Sequence, residues 1–124
     1  MENSKKEDFN KRFTLEERQE KANAVLEKHP DKLPVVVQQA SDSKLELPDF
    51  KEKFLVTHNL TVSKFILEIR KRVNLKPEHA LFIFIKQNTV PSSAQTMKEV
   101  YDKFKDEDNF LKIYFKEEPV MGGF

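Results

Sequence analysis

The chain has no cysteine and no tryptophan, and glycine occurs only twice among its 124 residues. The absence of cysteine excludes a disulfide framework, a thiolate metal site and a cysteine nucleophile. It is also consistent with a reducing compartment. Phenylalanine, with 11 copies, is therefore expected to supply much of the core and the walls of any aromatic pocket.

Long apolar runs are missing as well. No segment approaches the roughly 20 apolar residues that a membrane-spanning helix requires, and the N-terminal segment is charged, unlike the apolar stretch of a signal peptide. We therefore expect one soluble, cytoplasmic domain, to which any membrane attachment has to be added after synthesis. The net charge of +1 gives no indication of a nucleic-acid binder.

Catalytic motifs are absent from the sequence. The three histidines, His29, His58 and His79, fall in separate predicted loops or turns, and no H-x-x-x-H, Gly-rich phosphate loop or G-x-S-x-G motif occurs. Acidic residues are so frequent that chance pairs are unavoidable, so no acid–base pair stands out. The basic residues near Arg70 lack interleaved exposed aromatics, which argues against a nucleic-acid partner. We expect no enzyme activity, no metal and no cofactor.

Helical signals begin near the N-terminus. Residues 1–13 are polar and charged, which is typical of either a mobile arm or a short helix. Thr14 and Glu17 form a T-x-x-E capping box, which predicts a helix over about residues 15–28 that ends before Pro30. The apolar stripe of this helix is thin, so we expect the helix to lie on the surface of the domain.

Hydrophobic periodicity predicts six further elements. These are strands at 33–37, 53–56, 81–85 and 110–115, and helices at 62–73 and 97–104. The continuous apolar run at 81–85 predicts a strand buried on both faces, whereas the basic residues 70–72 are expected mostly to face water. A hairpin followed by a crossover helix on one sheet face is a β-grasp arrangement, although periodicity alone leaves other α+β folds open.

Six segments of the chain are informative as an ordered set. They read TLEER (14–18), HPDKLPVVV (29–37), KFLV (53–56), LTV with IRKR (60–62 and 69–72), ALFIF (80–84) and DEDNFL (106–111). Each segment alone is weak, but the six together, in this order and at this spacing, resemble the autophagy ubiquitin-like modifiers of the GABARAP-like family.

This resemblance implies an α+β fold, the ubiquitin-like β-grasp, with two N-terminal helices packed on the sheet. It also implies a division of the chain into three parts. These are an N-terminal arm or short helix (1–13), a ubiquitin-like domain with its N-terminal helix (14–116) and a flexible C-terminal tail (117–124).

For the tail, the resemblance implies covalent processing. In the family, a cysteine protease trims the precursor after a glycine, and activating and conjugating enzymes transfer that glycine to phosphatidylethanolamine. A residue without a side chain suits the narrow cleft of such a protease. The attachment residue is predicted at Gly122, with Gly123 as the alternative, and Met121 stands where the family usually has an aromatic residue. The competing interpretation is a disordered end without a function.

The resemblance further implies a groove for short peptides that carry an aromatic residue and, three positions on, a branched apolar residue. The peptide adds as a strand beside 53–56, where backbone hydrogen bonds supply affinity and two pockets supply specificity. Pocket one, for the aromatic residue, is predicted from Val25, Pro34, Val36, Lys53, Leu55 and Phe110. Pocket two is predicted from Phe54, Val56, Leu60, Phe65 and Ile69. Basic contacts to acidic residues beside the motif are predicted from Lys32, Lys51, Lys53 and Arg72.

Two residues near pocket two depart from the family pattern. Thr57 replaces the usual proline, and Glu68 replaces the usual apolar residue. A carboxylate is costly to bury without a partner, so we expect altered preference, for motifs with a polar or basic residue at that position. Without the resemblance, the apolar residues of both pockets are interpreted as ordinary core, and the basic residues 70–72 as a helix end that complements the helix dipole.

Two functions follow from the sequence. The first is a lipid-conjugated modifier of autophagy that recruits cargo receptors and adaptors to autophagosomal membranes. The second is a ubiquitin-like module that binds partner proteins and is never conjugated. The tail distinguishes them, because only the first function requires trimming at a glycine.

Overall fold

The computed structural model describes residues 7–47, 50–86 and 88–119. The helices in these ranges are α1 (Phe9–Arg12), α2 (Leu15–Lys28), α3 (Val62–Val73) and α4 (Met97–Phe104). The strands are β1 (Lys32–Gln39), β2 (Lys53–Thr57), β3 (His79–Phe84) and β4 (Leu111–Pro119). No helix within the described ranges has both the length and the apolar character needed to cross a membrane.

Threonine residues cap the three longer helices. Thr14, Thr61 and Thr96 are extended, and the side chain of each accepts a hydrogen bond from the backbone amide three residues on. Glu17 and Glu99 complete capping boxes by accepting from the amide of the capping threonine. The predicted start of α2 is therefore confirmed, and its cause is local.

The four strands form one mixed sheet in the order β2-β1-β4-β3. β1 pairs antiparallel with β2 and parallel with β4, and β3 pairs antiparallel with β4. The first and last strands of the chain thus lie side by side in the centre, and α3 connects the two edge strands. This is the ubiquitin-like arrangement with N-terminal helices, so the predicted α+β fold is confirmed.

The main core lies between the sheet and α3. Leu33, Val35 and Val37 alternate along β1 and belong to one apolar cluster with the inward face of α3. Phe65 and Ile69 supply that face and are at most 1% exposed. Their spacing of four residues is the helical periodicity that the sequence displays.

A smaller core lies under the N-terminal helices. Phe9, Ala22, Val36 and Phe110 are buried together, and Phe13 packs against them. The rings of Phe9 and Phe110 meet edge to face with their centroids 5.1 Å apart, a favourable geometry for aromatic pairs. Val36 and Phe110 thus have their outer surfaces covered by the N-terminal segment.

The prediction that the strand at 81–85 is buried on both faces is wrong. β3 is an edge strand, and it alternates: Leu81 and Ile83 are buried in the main core, whereas Phe82 is 51% exposed. An apolar residue at an outward position hides this alternation in the sequence. Burial of one face only is the usual situation of a strand at the edge of a sheet.

Two other predictions need correction. The last strand, predicted over 110–115, is longer than expected, because β4 continues to Pro119, which pairs with His79 at the start of β3. Arg70 was expected to face water, but it is half-buried. Its guanidinium donates a hydrogen bond to the carbonyl of His79 at 2.9 Å and so links α3 to β3.

Candidate peptide groove and C-terminal tail

β2 is a short edge strand with two different faces. In the described part of the chain it pairs with β1 alone, so its outer edge can accept a further strand. Lys53, Leu55 and Thr57 are exposed, whereas Phe54 and Val56 are buried. A peptide added beside β2 therefore meets one surface on the α2 side and another on the α3 side.

The register of β1 and β2 brings the strand residues of predicted pocket one together. Leu55 lies opposite Pro34, and Lys53 lies opposite Val36. Directly opposed residues of an antiparallel pair point to the same face of the sheet. These four residues therefore share the face on which α2 and the smaller core pack.

Pocket one has an exposed rim and a covered floor. Leu55 is 50% exposed and Val25 on α2 is half-buried, so both reach the surface. Val36 and Phe110 are at most 2% exposed because Phe9 packs over them. The surface that this region offers to a partner is consequently limited to its rim on α2 and β2.

The residues of predicted pocket two lie together on the α3 side of β2. Phe54 and Phe65 meet edge to face at a centroid distance of 5.5 Å. Apart from the half-buried Leu60, these residues are at most 5% exposed. They serve as core in this structure, so a peptide side chain entering here has to displace core contacts near Leu60.

The predicted basic contacts surround β2. Lys51 and Arg72 are exposed, and Lys32 is half-buried. The guanidinium of Arg72 lies over the ring of Phe54, with its central carbon 4.2 Å from the ring centroid, a cation–π contact. Thr57 and Glu68, the two departures from the family pattern, are both exposed, so the Glu68 carboxylate stays solvated.

A buried charge cluster lies beneath the α2 side of the groove. The carboxylate of Asp108 is fully buried and accepts hydrogen bonds from the Nε of Arg18 at 2.8 Å and the Nζ of Lys112 at 2.6 Å. Its second oxygen accepts from the amide of Phe110 at 2.9 Å. Arg18 also donates to the carbonyl of Phe13 at 2.7 Å. One carboxylate thereby ties α2, the end of α1 and β4 together.

This cluster shifts the ionisation of Asp108. Burial by itself raises the pKa of Asp108, but hydrogen bonds from Lys112, from the Phe110 amide and from Arg18 favour the charged form. Together with the nearby Lys112 charge they hold the pKa below its ordinary value. Asp108 therefore remains a carboxylate at neutral pH and keeps both cations paired.

The family model for "Autophagy protein Atg8 ubiquitin like" matches residues 17–122, most of the chain. The chain belongs to the Atg8 family. Atg8 proteins are ubiquitin-like proteins of autophagy.

Curated Atg8 relatives match along nearly their full length. Autophagy-related protein 8B of Oryza sativa subsp. indica is 44% identical over 118 residues, which cover 94% of this chain and 97% of the relative. Autophagy-related protein 8d of Arabidopsis thaliana is 42% identical over 117 residues, which cover 94% of this chain and 95% of the relative.

Solved Atg8 structures share the fold. The crystal structure of Trypanosoma brucei ATG8 superposes with a TM-score of 0.79 at 38% identity, covering 95% of this chain and all of that one. Plasmodium falciparum Atg8 in complex with an Atg3 peptide gives the same TM-score at 26% identity, covering 91% of this chain and all of that one.

Sequence reasoning missed several residues that build the α2 side of the candidate groove. Phe9 and Phe13 lie in the segment interpreted as an arm or short helix, yet both pack onto the smaller core. Two aromatic residues four apart, separated by charged and polar residues, are a signal for a packed short helix. Arg18 and Asp108 are 90 residues apart, and no local pattern connects them.

The predicted attachment site lies outside the described residues. Gly122, its alternative Gly123 and the neighbouring Met121 all follow Pro119, the last described residue. The division into an N-terminal arm or short helix, a domain and a flexible tail therefore stays a prediction.

Proposed function

We propose that this Atg8-family chain is a ubiquitin-like modifier that is trimmed at Gly122 and conjugated to phosphatidylethanolamine during autophagosome formation. A cysteine protease removes the residues after the glycine, and activating and conjugating enzymes transfer its carboxyl group to the lipid amine. The chain then moves from the cytoplasm to autophagosomal or related membranes, held there by the covalent lipid.

The residue at which the family match ends supports processing at Gly122. The matched region ends at this residue, which leaves Gly123 and Phe124 beyond it. The only two glycines of the chain stand here, where an acyl-transfer site needs a residue without a side chain. Gly123 remains the alternative attachment residue.

The open edge of β2 is the observation that carries the recruitment role. Among the residues that the structure describes, β2 pairs on one side only, so it can accept a peptide by backbone hydrogen bonding. Leu55 on one face and Leu60 beyond the strand's end give apolar contacts, and Lys51 and Arg72 supply positive charge beside them. This arrangement suits a peptide with an aromatic residue, a branched apolar residue three positions on and acidic neighbours.

A reconstituted conjugation reaction tests the modifier function. The full chain is incubated with an Atg8 protease, the activating and conjugating enzymes, ATP and vesicles that contain phosphatidylethanolamine, and the product is analysed by intact-mass spectrometry. We expect a product that has lost residues 123–124 and gained one lipid. A chain that stays unmodified, while a known Atg8 protein is conjugated in the same mixture, favours the module that is never conjugated.

Leu55→Arg is expected to weaken binding of an aromatic-x-x-aliphatic peptide at least tenfold. The substitution places a charge at the exposed rim of pocket one, where the aromatic ring of the partner has to be desolvated. Fluorescence anisotropy with a labelled peptide measures the loss. Phe82→Arg is the matched control, because Phe82 is equally exposed (51% against 50%) on the opposite edge strand. Equal losses in both variants would contradict a groove at β2.

Glu68 is expected to determine which residue a partner peptide prefers three positions after its aromatic residue. The carboxylate of Glu68 is exposed on α3, so a polar or basic peptide residue at that position binds better than leucine, isoleucine or valine. A peptide panel that varies this single position measures the preference. Glu68→Leu should restore apolar preference, and an ordinary apolar preference in the unmodified chain would refute this prediction.

A further inference from the structure

A cleft of about 910 Å³ lies where the segment before α1 and the loop after β1 meet the sheet. None of the residues assigned to the two peptide pockets lines it. Among the described residues that do line it there is no lysine or arginine, but there are four carboxylates, those of Glu7, Asp8, Asp42 and Glu52. We call this feature the acidic cleft.

Two of the four carboxylates are neutralised by cations. Glu52 pairs with Arg12, and Asp42 pairs with Lys116 at 2.6 Å. In the described part of the chain, neither Glu7 nor Asp8 takes part in an ion pair. The cleft therefore keeps negative charge that a cationic group can neutralise.

Asp8 has one oxygen left for a ligand. Its Oδ1 accepts a hydrogen bond from the amide of Asn10 at 2.9 Å. Its Oδ2 has only a long contact of 3.5 Å with the hydroxyl of Tyr114, well beyond the usual length of such a bond. A donor on a bound cation can therefore reach this oxygen.

An aromatic pair forms the neighbouring wall of the acidic cleft. Phe84 lies opposite Tyr114 in the sheet, and their rings stack with centroids 5.7 Å apart and an interplanar angle of 20°. Burial and the charges of Asp8 and Asp106 raise the pKa of Tyr114, so its phenol stays neutral. Both rings are half-buried, and the faces of such rings attract cations.

Gln38 completes the row across three strands, because it lies opposite Tyr114 on the other side. Its Oε1 accepts from the amide of Phe9 at 2.7 Å. Its Nε2 is buried and has no acceptor among the described residues. A buried donor of this kind calls for a partner, and a backbone carbonyl of a bound chain segment can supply one.

We propose that the acidic cleft binds an arginine side chain of a partner protein, which stacks on Tyr114 and pairs with Asp8. The planar guanidinium suits this place because it stacks on an aromatic face and donates to a carboxylate at the same time. The cleft is separate from the peptide groove, so this inference holds whether or not the chain is conjugated.

Two short peptides test the acidic cleft. Acetyl-Gly-Arg-Gly-amide and the same peptide with citrulline, which has a similar shape but no charge, are titrated into the ¹⁵N-labelled full chain and followed by NMR. We expect the arginine peptide to shift the amide signals of Asp8, Gln38 and Tyr114. It should bind at least about fivefold more tightly than the citrulline peptide, and high salt should reduce this ratio.

Two substitutions are expected to weaken binding of the arginine peptide at least about threefold. Asp8→Asn removes the charge and keeps the cap of α1, because asparagine caps helices as well as aspartate does. Tyr114→Val removes the ring and keeps a side chain that favours strands. If Tyr114→Val loses its fold, Asp8→Asn decides the test. Asp102→Asn, which changes an exposed carboxylate outside the cleft, is the control and should bind normally.

The outcomes that would overturn the inference are distinguishable. Equal affinities for the arginine and citrulline peptides would remove the cation site, and an arginine preference that survives both substitutions would place it elsewhere. Binding seen only after removal of residues 1–6 would assign the cleft to Lys5 and Lys6 of the chain itself. Signal shifts that depend on the concentration of the chain alone would assign it to a second copy. Asp8→Asn should still bind the aromatic-x-x-aliphatic peptide, which separates this site from the proposed groove.

Discussion

Replacing Asp108 by asparagine is expected to lower the melting temperature by on the order of 10 °C. The carboxylate is fully buried and is shared by Arg18 and Lys112. Asparagine keeps the shape but removes the charge, and a buried ion left without its partner costs about 3–5 kcal/mol. Lys112 keeps a second carboxylate, Asp106, at 3.1 Å, so the lower part of this range applies. Thermal unfolding followed by circular dichroism measures the change.

Asp102→Asn is the matched control for this prediction. Asp102 is exposed on α4 and pairs with Lys98, one turn away, so its loss should leave the melting temperature close to that of the unmodified chain.

The lowered pKa of Asp108 also predicts how the stability of the chain depends on pH. Its stabilising contribution is complete above about pH 4, the ordinary value for a carboxyl group, and is lost as the pH falls through the lowered pKa. Equal stability of the unmodified chain and Asp108→Asn would contradict the account.

Gly122→Ala is expected to abolish transfer of the chain to phosphatidylethanolamine. A methyl group at the residue that forms the new amide hinders its passage through the protease and the conjugating enzymes. The reconstituted reaction with vesicles measures the effect as loss of the lipid-linked band. Because Gly122 follows the last residue of β4 in the sheet by three positions, the substitution should leave the melting temperature unchanged.

Gly123→Ala supplies the control for the tail. If Gly122 is the attachment residue, Gly123 is removed with Phe124, and its substitution should leave the lipid-linked product at the level of the unmodified chain. The reverse pattern, with Gly123→Ala inactive and Gly122→Ala active, would assign the attachment to Gly123. Conjugation of both variants at the normal level would refute a glycine-dependent transfer.

Local signals in the sequence predicted much of the fold. The capping box of Thr14 and Glu17 and the apolar stripe through Phe65 and Ile69 depend on residues within one or two turns, and the structure realises both. The prediction that the strand at 81–85 is buried on both faces was wrong for a physical reason. Phe82 is apolar although it faces outward, so the run lacks the alternation that distinguishes an edge strand from a central one.

Long-range contacts account for most of what the sequence could not predict. Arg18 and Asp108 meet only because β4 returns beside β1 under α2, and each alone is interpreted as a solvated charge. The burial of Phe13 is similar, since it depends on the smaller core formed by residues from other elements. The two pockets came from the family resemblance, and periodicity alone assigns most of their residues to the core.

Recruitment of a peptide to vesicles tests the central claim most directly, because it requires the tail and the groove together. A labelled aromatic-x-x-aliphatic peptide is mixed with the conjugation reaction, and the vesicles are separated by flotation. We expect the peptide to float with the unmodified chain, to remain in solution with Gly122→Ala, and to remain in solution with Leu55→Arg although that variant is itself on the vesicles. A peptide that stays in solution beside lipid-linked unmodified chain would contradict the account.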